Sequence, residues 1–216
     1  MARSSPPPPP ERRAGRLVFF DQELLAARDY WRAALARELG PSRLPVDRAA
    51  SSAPLARSAV HAAQFAGEAW ARAWALTRER PALVHLLVTA ACAVVLHRLT
   101  GSRVITLGTP ARGAEARPNA LPLVIDVAPG QGFRALLAQV REVAADAYAH
   151  QAYPHTAIVA DFGLTAAAGR CALFDVSVRC AGVHAPMPAT AENIAIEVMS
   201  GADVLGLQLH YKPALH

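Results

Sequence analysis

Of the 216 residues 53% are hydrophobic and only 18% charged, a balance that argues against a wholly disordered chain and suits one domain or two small lobes. The formal charge of +5 is concentrated at the start, where residues 1–16 carry Arg3, Arg12, Arg13 and Arg16 against Glu11 alone. The remainder is nearly neutral, has Lys212 as its single lysine, and lacks the clustered basic face with aromatic readers that nucleic-acid binding demands.

In chain order, "MARSSPPPPPERRAGR" (1–16) reads as a disordered leader, because a five-proline run favours extended backbone and cannot enter a helix interior. It has no cationic-then-apolar signal, and with three cysteines (Cys92, Cys171, Cys180) in no CxxC spacing a reducing cytoplasm is expected, with no zinc or other metal site. Asp21 is a good N-cap for a helix whose Leu24, Ala27, Trp31, Leu35 and Leu39 share a face until Gly40-Pro41. Residues 42–54 form a loop by composition, 58–65 a strand, and 67–80 a helix with Trp70 and Trp74 on one side. "PALVHLLVTAACAVVLHRLTG" (81–101) has Pro at a first helical turn and Gly at a stop. Its charge-free run from Pro81 to Leu96 contains His85 and falls short of the roughly 20 apolar residues of a membrane span, so a fully buried core helix is expected.

Strands follow at 103–108 and 120–127, then an amphipathic helix with Phe133, Leu136, Leu137, Val140, Val143, Ala144, Ala147 and Tyr148 on its apolar face. Pro154 should end it near Gln151. Residues 173–180, 193–199 and 203–211 read as strands. Strands gathered behind a helix-rich half predict an α/β two-layer sandwich, a mixed sheet covered by helices.

"YAHQAYPHTAIVADF" (148–162) holds the most conspicuous titratable group: His150, His155 and Asp161. A helical metal pair needs histidines at i and i+4, whereas these are five apart with Pro154 between. A Ser-His-Asp arrangement assembled from distant segments stays open on spacing alone. Helix-end histidines more often cap or sit at the surface, so His150 and His155 are kept only as fallback catalytic candidates. His85 reads as a buried hydrogen-bonded imidazole, His97 as a dipole partner at its helix end, and Cys92 as a small core residue. Asp126 and Asp175 are placed in strands without a second carboxylate for acid/base work.

Several segments together resemble one family. "ARDYWRAALA" followed by "LPVDR" is similar to the "YWxxxLA…LPTDRP" region of nonribosomal peptide synthetase condensation domains. "LLVTAACAVVLHRLTGSRVITLGTPARG", "NALPLVIDV", "FRALLAQVREVAADAYAHQAYP" and "CALFDVSVRC" resemble later segments, in family order from residue 29 to about 180. The family-motif positions are Asp29, Tyr30, Trp31, Gly108, Thr109, Pro110, Asn119, Pro122, His150, Gln151, Pro154 and Phe174, all assigned structural roles.

The resemblance implies a lobe like chloramphenicol acetyltransferase, corresponding to the carboxy-terminal half of a two-lobed domain and spanning 17–216. It implies no cofactor, an adenylation domain or carrier protein as partner, and no nucleic-acid or membrane partner. The family's catalytic "HHxxxDG" is absent, since no His-His pair occurs, and "HQDLPFE" has become "HQAYPHT" without its carboxylates. The expected role is therefore a catalytically incomplete docking or scaffold element. The alternatives are half of a split amide-forming enzyme, a lone acyltransferase using His150 or His155, or a decayed gene product.

Overall fold

Six short segments, most of them rich in Val, Ile or Leu, pair into a single mixed sheet. The computed structural model describes residues 22–36, 58–113, 115–165 and 170–213. Its strands are β1 (Ala59–Ala66), β2 (Val104–Pro110), β3 (Ala120–Asp126), β4 (Val176–Cys180), β5 (Ile194–Ser200) and β6 (Val204–Tyr211), in the order β1-β6-β5-β4-β2-β3. The central pairs β2/β4 and β4/β5 are parallel, and the others antiparallel. β3 tolerates Pro122 because it is an edge strand, paired only with β2 among the described residues.

Helices α1 (Gln22–Leu35), α2 (Glu68–Leu76), α3 (Pro81–Thr100), α4 (Phe133–Ala149) and α5 (His155–Asp161) complete the described elements. α3 and α4 pack on each other and on the sheet, α3 over β2, β4 and β5 and α4 over β3. The main core lies between these layers, where Ile105, Leu107, Leu121, Leu123 and Ile125 meet Ala90, Ala93, Leu136 and Val140. A smaller cluster joins Trp70, Val84 and Val88 to Val178, Cys180 and Val198. On the other sheet face Arg179 pairs with Glu197 at 2.7 Å, with His210 beside Glu197 and Arg179. Two layers of this kind are the α/β sandwich that the patterning predicts.

Several boundaries differ from expectation. The 67–80 helix stops at Leu76, where Thr77 Oγ1 donates to the Trp74 carbonyl at 2.8 Å and Arg78 and Glu79 turn left-handed at φ 51° and 57°. Pro81 keeps Arg80 out of helical geometry and starts α3 afresh. The strand expected over 173–180 begins only at Val176, so Asp175 lies outside it. Its carboxylate pairs with Arg170, while its carbonyl accepts from the amides of Asn193 and Ile194 and so starts β5.

α3 is not buried all round, although it is the one described helix long and apolar enough to cross a membrane. Val84, His85, Val88, Thr89, Ala90, Ala93 and Leu96 face inward, while Val95 and Leu99 are more than half exposed. α5 is an element that the sequence pattern does not predict. The leader, the expected helix end at Leu39 and the 42–54 loop lie outside the described residues.

Candidate functional site

Part of the motif set, Tyr30, Trp31, Asn119, His150, Gln151 and Pro154, meets at the end of α4 around a turn. Asn119 is buried just before β3, and both ends of its side-chain amide are fully engaged. Its Nδ2 donates to the carbonyls of Gln151 (2.9 Å) and Tyr153 (2.8 Å), and its Oδ1 accepts from the amides of Ala120 and His155, both at 2.9 Å. Gln151 treats Arg112 as a strand neighbour would: Oε1 accepts from its amide at 2.7 Å and Nε2 donates to its carbonyl at 3.4 Å. Pro154 is the extended residue that launches α5. Trp31, 1% exposed, donates from Nε1 to the His150 carbonyl at 3.2 Å and ties α1 to the same turn.

Gly108 on β2 packs directly against Phe174: a Cβ there would lie 2.3 Å from the ring, which would have to shift. Thr109 and Pro110 continue β2 above it. Asp29 is exposed, pairing with Arg28 at 3.2 Å.

The two fallback histidines are held by different elements. The His150 ring stacks on Tyr30 at 4.0 Å and 7°, and its Nδ1 lies 2.8 Å from the Asp146 carbonyl, so that nitrogen carries the proton. His155 is not a surface residue as expected. It starts α5, its Nδ1 donates to the Ala120 carbonyl at 3.2 Å, and its ring meets Phe174 edge-on. Burial lowers its pKa below the ordinary imidazole value. Asp161 joins neither histidine: it accepts from the Tyr153 hydroxyl at 2.7 Å. Hence 148–162 comprises the end of α4, a turn and α5, and His150, His155 and Asp161 do not come together as a His-His-Asp site.

A second polar group is not anticipated from sequence. Residues 111–113 run antiparallel to 183–185, with Gly113 N donating to Val183 O (3.0 Å) and Ala185 N to Ala111 O (2.9 Å). That pairing brings His184 against Tyr148 and Thr109. His184 Nδ1 accepts from the Cys180 amide at 2.9 Å, so its Nε2 carries the proton and donates to the Tyr148 hydroxyl, also at 2.9 Å. Thr109 Oγ1 lies 3.4 Å from the Tyr148 hydroxyl and from His85 Nε2. His85 donates to the Val178 carbonyl at 3.1 Å and meets His184 edge-on at 4.4 Å. It is the buried hydrogen-bonded imidazole expected. Burial, reinforced by His184, pushes His85 down to about 3, and burial holds His184 down to about 4, so both are neutral near pH 7. Burial raises Tyr148 to about 12 and Cys92 to about 12, which leaves the Cys92 thiol unreactive. His97 donates from Nδ1 to the Ser102 carbonyl at 2.8 Å, closing the end of α3. Asp126 pairs with Arg103 at 2.6 Å.

No group of three His, Cys, Asp or Glu residues that could hold a metal occurs among the described residues. An apolar groove of about 910 Å³ is bounded by α2, α3 and strands β1, β5 and β6, with Phe65, Val95, Leu99 and Leu207 on its walls.

The condensation-domain family profile matches residues 20–183. One of the linear gramicidin synthase proteins of Brevibacillus parabrevis is 32% identical over 168 residues, which are 73% of this chain and 3% of that protein. A plipastatin synthase protein of Bacillus subtilis (strain 168) is 31% identical over 158 residues, 68% of this chain and 6% of that protein. Among solved structures, the starter condensation domain of rhizomide synthetase RzmA superposes with a TM-score of 0.67 at 20% identity, covering 91% of this chain and 48% of that one. The X-domain in its complex with OxyB from teicoplanin biosynthesis gives 0.76 at 21% identity over 90% and 49%. The chain thus spans about half the length of these solved chains and a few per cent of the curated relatives.

Proposed function

Since the chain belongs to the condensation-domain family of nonribosomal peptide synthetases, with the chloramphenicol acetyltransferase-like fold, we propose that it is a catalytically incomplete lobe that docks adenylation or carrier domains of a peptide synthetase. The missing family motif carries this reading. A general base needs an imidazole nitrogen that reaches the attacking group and is oriented for it. Nδ1 of His150 and of His155 each donates to a backbone carbonyl, which leaves Nε2 as the basic nitrogen; that of His155 faces the Cys171 thiol at 3.9 Å, and the His150 ring is stacked on Tyr30. Neither has a carboxylate hydrogen-bonded to its ring among the described residues, and the sequence has no His-His pair. The apolar groove beside α3 is the kind of surface that a neighbouring domain covers.

Co-purification with the adenylation and carrier proteins of its pathway should show association at micromolar concentration, and its absence removes the docking role. An acyl-transfer assay with loaded carrier proteins should give no product from this chain alone. His150→Ala and His155→Ala should then leave the baseline unchanged.

A second reading, half of a split amide-forming enzyme, is favoured by coverage of about half of the solved condensation domains. Its test is the same assay with an HHxxxDG-bearing chain added. Product formed only by the pair establishes the split enzyme and sinks the scaffold.

A further inference from the structure

We propose that a pocket on the α3–α4 side of the molecule, bounded by Arg80, Arg112 and Arg141, binds a phosphate-type oxyanion. The three arginines come from separate elements: Arg80 from the turn before α3, Arg112 from the segment paired with 183–185, and Arg141 from the middle of α4. All three line one cavity of about 150 Å³, together with Tyr148 and His85. At roughly 30 Å³ per water that is the room of about five waters, enough for a tetrahedral oxyanion with part of its hydration.

The charge arrangement is what needs explaining. No acidic residue lines the pocket, and none of the three guanidinium groups forms an ion pair among the described residues. Like charges gathered without a counterion repel, and an anion relieves that repulsion while taking up the forked donors that match phosphate geometry. The first turn of α3 borders the same cavity through Ala82 and Leu83. It has neither an acidic residue nor a side-chain cap, so its positive end adds to the field uncompensated.

Arg112 is also aimed. Its backbone is fixed from both sides by Gln151 and by the bridge to His184, and its guanidinium lies 6.0 Å from the centre of the Tyr148 ring. The Tyr148 hydroxyl is already engaged by His184, which holds the aromatic wall in place. The site needs no second lobe, so the proposal stands apart from the docking role.

Titration calorimetry at low ionic strength with inorganic phosphate, and separately with glycerol 3-phosphate, tests it and tells free phosphate from a phosphate ester. Saturable binding is expected in the range below roughly 1 mM for at least one probe. Arg112→Gln and Arg141→Gln should each weaken it about tenfold, since each removes one charge-assisted contact. Arg98→Gln, at the far end of α3, should change nothing. Arg112 and Arg141 are at exposed positions, and Arg141→Lys, which keeps the charge without the fork, serves if Arg141→Gln fails to fold. No saturation up to roughly 10 mM with either probe overturns the proposal, as does an equal loss with Arg98→Gln, which would mean diffuse attraction only.

Discussion

Asn119 shows how one side chain can hold three segments together. Asn119→Ala removes the partner of the Gln151 and Tyr153 carbonyls and of the His155 amide at the α4–α5 turn, and of the Ala120 amide at the start of β3, at a cost of at least about 2 kcal/mol. Asn119→Asp preserves the shape and the acceptor but points a carboxylate at the Gln151 and Tyr153 carbonyls. It should destabilise at least as much, as read from urea midpoints. Gly108→Ala should cost about 1–3 kcal/mol through overlap with Phe174. Combined with Phe174→Leu, the loss should be less than the sum of the single effects, which thermal melts of the four proteins would check. The family resemblance draws attention to both positions, but their roles are not legible in the sequence. Asn119 bonds residues more than 30 positions away, and spacing along the chain carries no signal for such partners. His184 escapes notice for a related reason: it is a lone histidine in irregular chain, and only the pairing of 111–113 with 183–185 gives it Tyr148 as a neighbour.

Among elements, those with long periodic patterns are legible, and the differences fall where local chemistry overrides pattern. α3 and α4 begin at the residues expected because Pro81 and Gly132-Phe133 mark them. α5 has seven residues, two turns without a cap signal, too short for a helical period to emerge. The end of α2 comes earlier than its pattern predicts because nothing in "LTRER" announces two left-handed residues without glycine. That turn gives a direct test. Left-handed geometry costs a side-chain-bearing residue roughly 1–2 kcal/mol, part of which glycine returns through its freer unfolded chain. Glu79→Gly should therefore raise stability by about 0.5 kcal/mol, seen as a higher urea midpoint at unchanged slope.

For the molecule as a whole, the neutral histidines set the response to acid. His85 and His184 have folded-state pKa values of about 3 and about 4, below the unfolded imidazole value of about 6.5. The unfolded chain therefore takes up protons first as the pH falls. Stability should be greatest above about pH 6.5 and decline steadily toward pH 5, where His85 alone accounts for a loss of about 2 kcal/mol and the partly exposed His184 for a smaller, screened one. Urea unfolding at pH 7 and pH 5 measures the difference. His184→Gln should flatten the slope, and a profile unchanged by that substitution would mean that other groups control it.

The sheet order also dictates a schedule of assembly. Among the described residues β1 is bonded only to β6, and Trp70 of α2 donates to the carbonyl of Gly201, just ahead of β6. β1, the earliest described strand to leave the ribosome, must therefore wait for the latest. The roughly 140 intervening residues take about 7–28 s to synthesise at ordinary elongation rates. Throughout that interval "AVHAAQFA", without proline or any acidic or strongly basic side chain, has α2 beside it but no strand partner, and pairing across so long a loop is slow. Failed synthesis, more than failed stability, is where this topology is exposed.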